Sequence, residues 1–226
     1  MDGELACYTR GRNARIVKWL GKEGVYMSDH YYSEQPASTS NRYSFTESLC
    51  GKEFSFTSDA GVFSKGGIDF GSRLLIEELS LPKTAGDILD VGCGYGPIGL
   101  VIASLNKRRH VYMIDVNERA LFLAKENTAQ NDVHNVTIMQ SDQLQHVMDN
   151  RFAMVVTNPP IRAGKSVVHG IFEQSADVLV NGGELWVVIQ KKQGAPSAEK
   201  KLRTLFQSVE IVTRKKGYFI LRCVKA

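Results

Sequence analysis

Between residues 42 and 58, Tyr43, Phe45, Phe54 and Phe56 alternate with polar neighbours on either side of Cys50-Gly51-Lys52, a pattern that predicts a β-hairpin. A glycine-rich stretch from Gly61 to Gly71 then leads into a helix over 72–79 that stops before Pro82. Beyond it, short apolar runs alternate with segments of helical period. Strands are expected at 87–91, 110–115, 136–140, 153–157 and 184–190, and helices at 97–105, 118–130, 165–179 and 197–206. Strands separated by helix-length segments imply a mostly parallel sheet with helices on both faces. The last two runs, 209–213 and 218–224, are separated by only a few residues around Gly217, so they form an antiparallel hairpin, because a parallel crossover needs a dozen residues or more.

Ahead of this pattern the chain reads differently. Residues 1–26 carry Arg10, Arg12, Arg15 and Lys18 with only Ile16-Val17 and Trp19-Leu20 as apolar pairs. They read as a basic extension, non-native or disordered, with Met27-Ser28-Asp29 as a natural beginning; the other reading is a short basic helix that touches RNA. Residues 33–41 read as a polar linker. A single domain is expected over 27–226, with flap and linker at 27–70 and the core at 71–226.

Composition narrows the class. With 43% hydrophobic and 23% charged residues, a chain of 226 residues can bury a full core without staples or a structural metal. The four cysteines, Cys7, Cys50, Cys93 and Cys223, include no C-x-x-C pair, which fits a reducing cytoplasm and neither a disulfide framework nor a zinc site. No apolar run approaches the roughly 18 residues of a membrane helix. The net charge of +4 is mild, but positive residues cluster at Lys107-Arg108-Arg109, Lys191-Lys192, Lys200-Lys201 with Arg203, and Arg214-Lys215-Lys216. Such clusters either attract phosphates or are solvated loop ends.

The chemistry concentrates at strand ends. In Asp90-Val91-Gly92-Cys93-Gly94-Tyr95-Gly96-Pro97-Ile98-Gly99 an apolar strand runs into a glycine loop and then a helix with Pro97 in its first turn. Gly94, Gly96 and Gly99 also satisfy the dinucleotide pattern G-x-G-x-x-G, so a nicotinamide enzyme is one reading. Asp90 favours another. A carboxylate beside the glycines would repel a pyrophosphate but attract, directly or through water, the ammonium of a methionine moiety. Asp115 ends the next strand about 20 residues further on, where a carboxylate accepts hydrogen bonds from ribose hydroxyls under either reading. Cys93, between two glycines, reads as packing.

The tetrapeptide Asn158-Pro159-Pro160-Ile161 follows the strand at 153–157 and falls at the same sheet edge. An amine conjugated to a base or carbonyl is a poor nucleophile because its lone pair is delocalised. The Asn158 side-chain oxygen and the Pro159 carbonyl can both accept its hydrogens, and Pro160 offers no competing N–H. His169 lies on a helix and reads as a packed or surface histidine rather than a base.

The glycine motif resembles that of the class I S-adenosylmethionine methyltransferases. Over about 180 residues the chain resembles the small-domain methyltransferase family, which includes bacterial small-subunit rRNA guanine 2-amino methyltransferases. The resemblance rests on Gly61-Val62-Phe63-Ser64, Asp69-Phe70-Gly71-Ser72-Arg73-Leu74-Leu75, the glycine motif, Asn158-Pro159-Pro160-Ile161, Gln190-Lys191-Lys192-Gln193-Gly194 and Lys216-Gly217-Tyr218. It implies a Rossmann-like seven-stranded sheet with an N-terminal hairpin flap. It also implies S-adenosylmethionine bound by Asp90, Gly92, Cys93, Gly94, Gly96, Asp115, Asn117, Asp142 and Asn158, and catalysis at Asn158, Pro159, Pro160 and Ile161. Phe63, Asp69, Arg162 and Lys165 are weaker substrate candidates, the basic clusters suit RNA as partner, and neither a metal nor a membrane is called for.

Two features depart from the family pattern. The larger rRNA enzymes carry an additional N-terminal domain, and many base-methylating relatives have an aromatic residue where Ile161 stands. Guanine in small-subunit rRNA is the first expectation. A protein glutamine amide is the second, although Tyr would be expected after its prolines; adenine in DNA or RNA is the third. A noncatalytic RNA chaperone or assembly factor would keep the fold without needing Asn158.

Overall fold

The computed structural model describes residues 38–64 and 66–226, together with the backbone of two short strands, β1 (Tyr8–Arg10) and β2 (Asn13–Arg15), paired antiparallel. Most of the extension expected over 1–26 lies outside the described residues, and where it is described it is this strand pair rather than a helix.

The flap hairpin is β3 (Tyr43–Leu49) and β4 (Lys52–Ser58). Its two-residue turn puts Cys50 and Gly51 at φ 50° and 77°, the left-handed pair that matches strand twist. Asn127 of helix α3 (Glu118–Gln130) and Asn131, the residue that caps its carboxyl end, act as a third strand for it. Asn127 Oδ1 accepts from Thr57 N at 2.7 Å while its Nδ2 donates to Thr57 O at 3.0 Å, and Asn131 pairs in the same way with the backbone of Ser55. The outer edge of β4 is thereby satisfied and the flap is fixed to the core.

Helix α1 (Phe70–Glu78) starts where Asp69 Oδ1 accepts from Gly71 N and Ser72 N, two of the amides left without partners at a helix start. Then come β5 (Asp87–Val91), α2 (Pro97–Leu105), β6 (Val111–Asp115), α3, β7 (Val136–Gln140), β8 (Phe152–Thr157), α4 (Lys165–Val178), β9 (Leu179–Gln190), α5 (Ala195–Leu202), β10 (Ser208–Lys215) and β11 (Tyr218–Val224). The expected helix end at 179 and strand start at 184 are corrected: β9 begins where α4 stops. Its first residues pass through Gly182 at φ 73°, whose N–H donates to Lys225 O at 3.1 Å. Helix α5 starts two residues early, after Gly194 at φ 105°, and ends at Leu202.

The seven strands follow the order β7-β6-β5-β8-β9-β11-β10, with β5 to β9 parallel and the last two antiparallel. Alternation divides the core. Ile88, Met113, Val156 and Trp186 face the flap with α1, α2 and α3, whereas Leu89, Ile114, Val155 and Val187 face α4 and α5. From β5 the chain winds outward to β6 and β7, then returns to place β8 on the other side. That reversal leaves a crevice outside the carboxyl ends of β5 and β8.

Candidate active site

A cavity of about 800 Å³ opens at this crevice, within the range of small-molecule and cofactor sites. The strand ends are tied together beneath it, since the Thr157 hydroxyl donates to Val91 O at 2.9 Å.

One half is a cradle of backbone and carboxylates. Gly92 and Gly94 take φ 72° and 58°, and a Cβ on either would point into open space, so conformation rather than crowding calls for glycine there. Asp115 accepts from Gly94 N at 2.8 Å through Oδ2 and from Asn117 N at 2.9 Å through Oδ1, which couples the end of β6 to the glycine loop. Burial holds its carboxyl above the ordinary range, against the lowering effect of those amides. Ser141, Asp142 and Gln143, after β7, complete this side.

The other half is assembled from distant segments: Phe63, Asp69 and Ser72 from the flap end and α1, residues 158 to 163 after β8, Gln193, and Tyr218 from β11. Asn158 Nδ2 donates to Ser72 Oγ at 3.0 Å and approaches Asp69 Oδ2 at 3.4 Å. A carboxylate can only accept, so the amide must turn its NH2 group toward Asp69. Its Oδ1 is thereby kept on the other side as an acceptor. Tyr218 packs on Phe70 with ring centroids 5.5 Å apart, and a Cβ on Gly71 would lie 2.9 Å from the Tyr218 ring, so the Asp69-to-Ser72 turn seats directly on β11. Burial and the Asp69 charge raise the Tyr218 hydroxyl above its ordinary range.

The structure separates the expected site residues. Gly92, Cys93, Gly94, Asp115, Asp142, Asn158, Pro159, Pro160, Ile161, Arg162, Phe63 and Asp69 all line the cavity. Asp90, Gly96 and Asn117 do not. Asp90 is fully buried under α2, where its Oδ2 accepts from Gly99 N at 2.8 Å. It supplies the cap that Gly96 lacks a side chain to give, and Oδ1 has no hydrogen-bond partner among the described residues. Burial, with the Asp115 charge adding, raises this carboxyl to about 7. Gly96 and Gly99 let α2 approach β6, since a Cβ at these positions would meet Met113 side-chain atoms at 2.8 and 2.7 Å. Asn117 is a clip: its Oδ1 caps α3 at Ala120 N, and its Nδ2 donates to Gly61 O at 2.9 Å.

Lys165 and His169 line a second, smaller cavity of about 200 Å³ instead. Burial and the Lys165 and Lys201 charges lower the His169 pKa, and its ring stacks on Phe172. Phe63 is 38% exposed at the main cavity. Sequence reasoning gave Ser72 and Tyr218 no role of their own. Both stood in quoted motifs, but their partners, Asn158 and Gly71, lie far away in the chain.

S-adenosylmethionine fits the cradle on the chemistry of its donors and acceptors. Paired carboxylates at the ends of β6 and β7 suit ribose hydroxyls and an adenine amino group, and the open glycine loop suits close approach of a ligand. No helix of the described residues is long and apolar enough to cross a membrane.

Comparison with known proteins extends the picture. The chain is 58% identical over 200 residues to the uncharacterized protein YbxB of Bacillus subtilis (strain 168), covering 88% of this chain and 100% of that one. It is 34% identical over 142 residues to the ribosomal RNA small subunit methyltransferase C of Vibrio cholerae, covering 61% of this chain and 41% of that enzyme. Among solved structures it superposes with TM-score 0.73 at 24% identity on the Thermus thermophilus 16S rRNA N2 G1207 methyltransferase in complex with AdoMet and guanosine, covering 84% of this chain and 52% of that one. The chain thus spans about half or less of these two rRNA enzymes. The profile of the methyltransferase small domain matches residues 53–222, which run from the second flap strand through the cradle and the Asn-Pro-Pro turn into β11, and the chain belongs to that family.

Proposed function

We propose that this protein transfers a methyl group from S-adenosylmethionine to the 2-amino group of a guanine in small-subunit ribosomal RNA. The observation that carries this reading is the Asn158 amide, turned by Asp69 and Ser72 so that its oxygen remains an acceptor beside the cofactor cradle. The bound cofactor supplies an electrophilic methyl group on a sulfonium. Everything else falls to the chain. Asp115 would accept from ribose hydroxyls and Asp142 from the adenine amino group, while Gly92 and Gly94 would let the backbone approach the ligand.

On the acceptor side, Asn158 Oδ1 and the Pro159 carbonyl accept the two amine hydrogens. This localises the nitrogen lone pair and aims it toward the cradle. The two prolines restrict the backbone, so the acceptors are held before the reaction and little reorganisation is required. Phe63 and Ile161 both line the cavity and would offer the base an aromatic and an aliphatic contact, the latter where many base-methylating relatives have an aromatic residue. The amine proton leaves to solvent after transfer, with no base required from His169. The rRNA methyltransferases among the relatives and the guanosine in the Thermus complex support guanine in rRNA as the acceptor.

The test is transfer of labelled methyl from S-adenosylmethionine to small-subunit rRNA, assembled small subunits and total cell protein, with wild type beside Asn158→Ala. The expected result is label recovered as 2-methylguanosine and reduced on the order of 10²–10³-fold in the variant, with cofactor binding retained. Label in protein would point to a glutamine amide acceptor. No label despite cofactor binding would point to a noncatalytic factor.

A further inference from the structure

The four basic clusters are not equivalent in three dimensions. Lys107, Arg108 and Arg109 precede β6 at the amino edge of the sheet, opposite the cavity, and Arg109 is committed to the carbonyls of Pro82 and Gly86. Around α5, Lys201 pairs with Glu173, and Arg203 pairs with Glu199. The other two clusters meet. Lys191-Lys192 follows the carboxyl end of β9, and Lys215 ends β10 just before the Lys216-Gly217 turn into β11, whose first residue, Tyr218, pairs with Gln190. Lys191 N donates to Gly217 O at 2.7 Å, so the two loops form one ridge beside the cavity, which Gln193 and Tyr218 line.

This ridge is built to present charge. Lys191, Lys192, Arg214, Lys215 and Lys216 are all exposed, and neither 190–198 nor 213–220 contains an acidic residue. Lys216 Nζ stands 4.8 Å from the Phe70 ring centroid, and the Arg214 guanidinium stands 4.9 Å from that of Phe219. Lys216 also holds φ 49°, a left-handed turn position that asparagine or glycine fills at less cost.

We propose that this ridge is the phosphate track for a single strand of RNA whose target base enters the cavity, and that the Lys107-Arg108 cluster takes no part. The inference rests on the acceptor being RNA. A strand rather than a closed duplex follows from the chemistry: Asn158 lines a cavity, and a base must leave its stack to bring an exocyclic amine into one.

The full-length protein would be titrated into a short fluorescein-labelled single-stranded RNA of mixed sequence at several salt concentrations, with thermal melts to check each variant's folding. Neutralising Lys191→Gln with Lys192→Gln, or Lys215→Gln with Lys216→Gln, should each weaken binding about tenfold. Each pair should also flatten the slope of log K against log salt by about 1.4, at roughly 0.7 per lost phosphate contact. Lys107→Gln with Arg108→Gln should leave both affinity and slope at wild-type values.

Equal loss at the two edges, or no loss at the ridge, would overturn the track. So would a wild-type protein that does not bind the RNA. Methyl transfer read on the same preparations separates this from the proposed function. If wild type labels rRNA while ridge variants label it equally well, the track is wrong and the acceptor right. If the ridge binds RNA but label enters only protein, the acceptor is wrong and the ridge is an RNA-binding surface that leads no target base to the cavity, which overturns the track as well.

Discussion

Around the cradle half of the cavity, the glycines and carboxylates sit at the carboxyl ends of the strands that precede them. Gly92 and Gly94 follow β5, Asp115 ends β6 and Asp142 follows β7, and the hydrogen bonds joining them run between neighbouring strands. Around the acceptor half, the working side chain depends on residues brought from far along the chain. Asn158 is oriented by Asp69, 89 residues earlier, and by Ser72, and the Asp69-to-Ser72 turn is seated by Tyr218. A cradle of strand ends can be kept while the acceptor half is varied, because one is set by sheet geometry and the other by side-chain packing. The same fold can thus carry one cofactor and several acceptors.

The comparison can be broken at its strongest point on the cradle side. In Asp115→Asn, whichever way the new amide turns, its NH2 group opposes either Gly94 N–H or Asn117 N–H. Cofactor affinity should fall about 10- to 100-fold by calorimetry, in line with about 1.5–3 kcal/mol for a lost hydrogen bond to a charged group. An unchanged affinity would remove Asp115 from the cofactor site.

On the acceptor side, Asp69→Asn should keep the helix cap through Oδ1 yet present an NH2 group to Asn158 Nδ2, which loosens the fixed orientation of that amide. A fall in kcat of about tenfold is expected, from a loss of about 1.4 kcal/mol, with cofactor affinity and melting temperature little changed. If kcat is unmoved, the orientation argument for Asn158 fails. Should cofactor affinity fall instead, the two halves are not independent.

The smallest effect is a pH dependence beneath the cradle. The Asp90 carboxyl is raised from 3.8 to about 7 in the folded protein, so between these values the folded state binds more protons than the unfolded one. This contribution lowers stability as pH rises through that window, and the cost is complete above the folded value. Asp90→Asn keeps an acceptor for Gly99 N and removes the titration. Urea midpoints of the cofactor-free variant between pH 4 and pH 7 should therefore decline less steeply with pH than those of wild type. Parallel curves would mean that Asp90 does not titrate in this range.

Much of the architecture was legible because its signals are local. The period of two in β3 and β4, the glycine loop before α2 and the short link before β11 each specify an element without reference to the rest of the chain. The boundary between α4 and β9 was not legible, since the early β9 residues extend only because neighbouring strands accept their hydrogen bonds. The cradle followed from strand ends in the same way, except where depth mattered. Asp90 was expected at the ligand because it stands beside the glycines, and Asn117 because the family resemblance implied it, whereas strand alternation sends Asp90 beneath α2 and helix capping engages Asn117.

The alternation of strands and helices, the glycine cradle and the Asn-Pro-Pro turn were readable from the amino-acid order, because each depends on the conformational limits of residues adjacent in the chain. That Asn127 and Asn131 hold the flap, that Ser72 and Asp69 orient Asn158, and that two of four basic clusters join at the cavity emerged from the folded arrangement alone. Those arrangements are made by hydrogen bonds and charges between segments dozens of residues apart, which meet only when the strand order brings them to one edge of the sheet.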